Sequence, residues 1–147
     1  MSADEVTEPI EGEGYAVGSI DGIGEGYGFR KIRRELGVSA FGVNAVVMPS
    51  GYESGRHFHD EQEELYFVHR GTARVEVEGE VRELGPGGLF HCESTTPRKI
   101  SNAGDEDLVI YIVGGKDGYV GRDGRTPEDE ESPRGPGFSG PPGAAAS

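Results

Sequence analysis

Gly51-Tyr-Glu-Ser-Gly-Arg-His57-Phe-His59-Asp-Glu-Gln-Glu-Glu64-Leu-Tyr-Phe-Val-His-Arg-Gly71 is the stretch that decides how this chain folds. His57 and His59 are one residue apart, so on an extended strand both imidazoles point to the same face. Glu64 lies at an odd offset from them and cannot share that face on one straight strand. The polar run Asp60 to Glu63 can turn the chain, letting Glu64 open the next strand and swing back beside the imidazoles. Two nitrogen donors and one carboxylate oxygen then converge, a set suited to a divalent transition metal with positions left open. The plainer alternative is a polar hairpin whose histidines are only solvated.

Working outward, the chain from Ser39 reads as short strands separated by turn signals, the pattern of an all-β sandwich or barrel. Phe41 to Met48 is a strand closed by Pro49-Ser-Gly51. Arg56 to His59 and Glu64 to Arg70 form the hairpin just described. Thr72 to Glu78 alternates, with Ala73, Val75 and Val77 on one side and Arg74, Glu76 and Glu78 on the other. Val81 to Leu84, Leu89 to Glu93, Arg98 to Asn102 and Leu108 to Val113 complete the series. Gly85-Pro86-Gly87-Gly88 and Ala103 to Asp107 supply tight turns. This order predicts an eight-stranded jelly roll.

The first motif, glycine, five residues, His-x-His, four residues, glutamate, six residues, glycine, resembles the first signature of the cupin superfamily. Gly51, His57, His59, Glu64 and Gly71 fill it without a gap. The second cupin signature fits in spacing over Gly87, Glu93, Thr95, Arg98 and Asn102, with three identities changed. Glu93 stands for proline, Thr95 for glycine, and Arg98 for the histidine. The resemblance runs over about residues 40 to 114. It implies an all-β, cupin-type jelly-roll (double-stranded β-helix) barrel and a metal site on His57, His59, Glu64 and position 98. It also implies a homodimer.

Arginine carries no lone pair, so Arg98 cannot be a ligand. Three ligands, His57, His59 and Glu64, still suffice for iron, manganese, nickel or zinc. Two arrangements follow. Arg98 clamps an anionic molecule against the open metal positions, with Tyr66, on the Glu64 face, as a second ligand-binding group and candidate proton donor. Alternatively, Arg98 pairs with Glu64 and takes over the metal's charge-balancing role. The first makes the protein a metal-dependent oxygenase or isomerase with Tyr66 and Arg98 as catalytic residues. The second makes it a non-catalytic, metal-free binding module. His91 faces outward if Phe90 and Cys92 face inward, and enters the cavity if the register is shifted. His69 falls opposite Glu64 and is non-ligating. Glu61 and Glu63 are solvated, with Glu63 the substitute carboxylate should the turn slip by one.

Of the 147 residues only 33% are hydrophobic, and these concentrate between Phe41 and Val113. One domain over 15–114 is therefore expected, with a loose acidic arm over 1–14 and a disordered Gly/Pro-rich acidic tail over 115–147. Within the domain, Tyr15 to Ile20 reads as an edge strand. Phe29, Ile32 and Leu36 fall at helical spacing before Gly37, so one short helix over Arg30 to Leu36 competes with a strand. Arg30, Lys31, Arg33 and Arg34 form a basic cluster, read as a solvated face or a contact with a second subunit. Gly22-Ile-Gly24-Glu-Gly26 lacks the strand and helix of a dinucleotide loop and reads as a flexible loop.

The formal net charge of -13 argues against nucleic acid and membrane-surface partners. The single cysteine, Cys92, excludes an intramolecular disulfide and reads as a small core residue, with a reactive thiol as the alternative. Neither a signal-peptide pattern nor a spanning segment is present in the sequence, which predicts a cytoplasmic protein.

Overall fold

The structure is a computed structural model describing residues 4–127. Its strands are β1 (Ile10–Gly12), β2 (Tyr15–Val17), β3 (Gly28–Arg30), β4 (Gly42–Met48), β5 (Phe58–His59), β6 (Glu63–Arg70), β7 (Ala73–Val77), β8 (Glu80–Leu84), β9 (Leu89–Cys92), β10 (Arg98–Asn102), β11 (Leu108–Gly115) and β12 (Gly124–Arg125). One helix, α1 (Ile32–Leu36), lies between β3 and β4. It ends where Gly37 takes the left-handed conformation, φ 72°, the usual stop for a short helix.

Two antiparallel sheets make the barrel. The larger has the order β3-β4-β11-β6-β9 and the smaller β10-β7-β8. The segment before β5 extends the smaller sheet, through bridges Glu53 to Ser101 and His57 to Arg98. Alternation along each strand decides what goes inside. On β6, Glu64, Tyr66 and Val68 are buried while Leu65 and Phe67 are exposed. On β11, Leu108, Ile110 and Ile112 point inward and pack on Val46 and Met48 of β4, Ile100 of β10 and Ala73 of β7. Both sheets thus contribute to one core, each fully buried aliphatic side chain stabilising it by about 1.5–3 kcal/mol. The all-β jelly roll predicted from the turn spacing is the fold observed.

The ends differ from the sequence expectation. Within the arm predicted to be loose, Ile10–Gly12 pairs with Tyr15–Val17 as a small exposed hairpin. Arg30 does not belong to a solvated basic face. It is buried, and its guanidinium donates to the Ile20 and Gly26 carbonyls, folding the glycine-rich loop around itself. Residues 116–127, read from the sequence as part of a disordered tail from which Tyr119 could still pack on the barrel, return to it, and β12 pairs with β5. Polar contacts hold them: Arg125 Nε reaches Asp60 Oδ2 at 2.7 Å and the Arg33 guanidinium lies 3.9 Å over the Tyr119 ring. A prediction based on apolar content has no access to such contacts. The rest of the predicted tail, 128–147, lies outside the described residues. No helix of the described residues is long and apolar enough to cross a membrane.

Candidate metal centre

His57, His59 and Glu64 come together with their donor atoms all within 4.8 Å of one another. His57 is locked by its backbone, which exchanges two hydrogen bonds with Arg98 at 2.9 and 2.8 Å. Two residues on, His59 projects to the same side, and the rings sit 5.2 Å apart at 85°. The chain then turns, and Glu64 enters from β6. The offset and turn read from the sequence therefore bring these three residues together.

Glu64 is held from behind. Tyr66 Oη donates to Glu64 Oε1 at 2.5 Å and Arg98 Nη2 donates to the same oxygen at 2.7 Å. Oε2 has no hydrogen-bond partner among the described residues. Arg98 is fully buried and spends its other donors locally: Nε on Tyr66 Oη, and Nη1 on the carbonyls of Ser94 (3.0 Å), Thr96 (2.9 Å) and, more weakly, Glu93 (3.4 Å). Of the two arrangements read from the sequence, Arg98 facing a bound molecule or Arg98 paired with Glu64, the structure shows the pair, and Tyr66 bonds the same carboxylate. The loop 93–96 supports that direction by offering Nη1 three backbone carbonyls.

The remaining candidates separate cleanly. His91 faces outward and pairs with Glu63 at 2.6 Å on the exposed surface, so neither enters the site. His69 stacks edge-on against the Tyr111 ring. Glu61 is exposed. Cys92 is a buried free thiol within the core, its pKa raised by burial.

Asp123 and Gln62 went unsuspected in the sequence. Asp123 Oδ1 accepts from His59 Nδ1 at 2.7 Å and from Gln62 Nε2 at 2.7 Å. Its Oδ2 accepts from the backbone N–H groups of Glu61 and Gln62 at 2.7 and 2.9 Å. An aspartate in a Gly-rich stretch more than sixty positions away carries no pattern that would have announced this.

The electrostatics follow from that packing. Burial and the nearby Arg98 charge lower His57 to a pKa of about 4, so it is neutral near pH 7. Burial also opposes protonation of His59, but the Glu64 and Asp123 carboxylates outweigh it and raise its pKa. Burial would raise Glu64, yet contacts with His59, Arg98 and Tyr66 hold it down at about 2, as a carboxylate. Tyr66 is pushed well above its usual range by burial and by Glu64, making it a poor acid.

Does this set suit a metal? Donors about 2.1 Å from one metal lie at most about 4.2 Å apart; these three lie within 4.8 Å of one another, with His59 Nε2 and Glu64 Oε1 at 3.1 Å. With Nδ1–H of His59 donating its hydrogen bond to Asp123, the neutral ring keeps its lone pair on Nε2. That nitrogen lies 3.1 Å from Glu64 Oε1 yet makes no hydrogen bond among the described residues, having the distance of one without the direction. Two electron-rich atoms so placed are what a cation between them would relieve. A carboxylate behind a ligating histidine is also the usual outer support of such sites. The residues fit a divalent metal.

Comparison with known proteins agrees with the fold. Residues 44–114 match the family described as "Cupin domain". A cupin protein from Bacteroides fragilis superposes with TM-score 0.56 at 22% identity, over 63% of this chain and 77% of that one. The DMSP lyase DddQ from Ruegeria pomeroyi superposes with TM-score 0.55 at 26% identity, over 63% of this chain and 46% of the lyase. The barrel has the cupin-type jelly-roll fold. In sequence, 49 residues are 35% identical to a 5-nitrosalicylic acid 1,2-dioxygenase from a Bradyrhizobium species, covering 33% of this chain. The chain spans only 24% of the length of that curated relative.

Proposed function

We propose that the barrel holds one divalent transition metal (iron, manganese, nickel or zinc) on His57, His59 and Glu64, beside which a small anionic molecule binds. The observation that carries this reading is the convergence of the three donors with Asp123 fixing the His59 tautomer. When bound, such a metal supplies a Lewis acid with open positions for substrate. The chain's own residues prepare the place. Tyr66 and Arg98 hold Oε1 of Glu64, the oxygen 3.1 Å from His59 Nε2, and all three donor residues are buried. Glu64, Asp123 and Arg98 together with a dication leave one formal positive charge, so an anion is the favoured occupant of the open positions. A metal-dependent oxygenase, lyase or isomerase fits this arrangement, and the dioxygenase and lyase among similar proteins support that class. Arg98 stands where the second cupin signature has its histidine, so the set has three protein ligands rather than four.

One observation favours a second reading, a metal-free binding module: Arg98 already neutralises Glu64 at 2.7 Å. Elemental analysis of purified protein separates the two. The metal reading predicts about one metal per chain, lost in His59→Ala and Glu64→Gln. A folded wild-type protein that stays metal-free after supplementation with iron, manganese, nickel and zinc would leave only the binding module.

A further inference from the structure

The strap formed by residues 116–127 does more than pair with β5. We infer that Asp123 is a positioning residue for the metal-binding set. Its carboxylate fixes His59 in the Nδ1–H form and pins the turn from which Glu64 emerges, so the set is complete only when the strap is seated.

The contacts divide by oxygen. Oδ1 accepts hydrogen bonds from His59 Nδ1–H and the Gln62 amide, each at 2.7 Å; Oδ2 accepts from the two backbone N–H groups at 61 and 62. The Asp123 carbonyl accepts from Asp60 N at 3.1 Å. One side chain therefore orients a candidate ligand and the hairpin between two candidate ligands at the same time. The rest of the strap is attached by β12 pairing with β5, by Arg125 to Asp60, and by Arg33 over Tyr119. The Arg125 and Tyr119 contacts are at exposed positions, where each contributes about 1 kcal/mol or less. On this inference the strap leaves with the barrel still folded, and its departure releases the His59 ring. By linkage, whatever binds His59 through Nε2 holds the strap down, and seating the strap tightens that binding equally.

This inference rests on the metal reading, and the test keeps the two apart. In metal-free protein at alkaline pH, long-range nitrogen NMR reports the tautomer of His59. Wild type should show Nδ1–H, and Asp123→Ala a shift toward Nε2–H with the barrel still folded by circular dichroism. Zinc titration against a chromophoric chelator should show affinity falling about 10- to 100-fold in Asp123→Ala. Asp123→Asn, which keeps one acceptor, should fall between. Asp60→Asn, which breaks only the Arg125 pair, should change affinity less than about threefold. Zinc should also slow tryptic cleavage after Arg122 and Arg125 in wild type and not in Asp123→Ala. An unchanged tautomer together with zinc affinity within about twofold of wild type would overturn the role of Asp123. Failure of wild type to bind zinc would count against the metal reading alone, and the tautomer would still decide the strap.

Discussion

Arg98 is the residue on which the site turns. A guanidinium with no exposure, bonded to three loop carbonyls, a phenol and a carboxylate, is a structural cation. Replacing it by Met would leave Glu64 buried without its counter-charge and the 93–96 carbonyls unpaired. Breaking a buried pair in this way costs about 3–5 kcal/mol. Urea denaturation of metal-free Arg98→Met should show a loss of that order, and added metal should recover part of it by supplying another counter-charge to Glu64. A loss below about 1 kcal/mol would mean the pair is not held as described. The arginine could be placed from sequence because its position in the second motif is fixed by spacing. Its direction could not, because nothing in the sequence says that the neighbouring loop turns its carbonyls inward.

At the scale of elements, strand parity did most of the reading. It placed Glu64, Tyr66 and Val68 inward on β6, put His91 on the outer face of β9 and sorted His69 away from the site. The two glycines bounding the first motif are not equivalent, although both have positive φ. Gly51, at φ 82°, has open space where a Cβ would sit; Gly71, at φ 88°, would place it 2.7 Å from the Asp107 carbonyl oxygen. Alanine at 51 should therefore cost about 1–2 kcal/mol for the left-handed backbone alone. Alanine at 71 should cost at least about 1 kcal/mol more, because the β10–β11 connection must also shift. Denaturant midpoints of the two variants check this; equal losses would contradict the close approach. What parity could not reach was the strap. Its β12 has two residues and no alternation, and it is recruited by Asp60 and His59 rather than by an apolar face.

For the whole molecule, charge sets the background. A net charge of -13 and a pI near 4.6 mean that the folded chain repels itself at neutral pH. Raising salt from about 0.01 to about 0.5 M shortens the screening length severalfold. The melting temperature should rise accordingly; a fall would mean that the surface ion pairs outweigh the repulsion. Within that acidic shell the barrel gathers two imidazoles, one carboxylate and a supporting aspartate at one end. The most direct check is an anomalous-difference map from crystals grown with a transition metal. The account predicts a single strong peak bounded by His57, His59 and Glu64, with Asp123 still on His59. A map empty there, with the imidazoles and the Glu64–Arg98 pair unmoved, would contradict it.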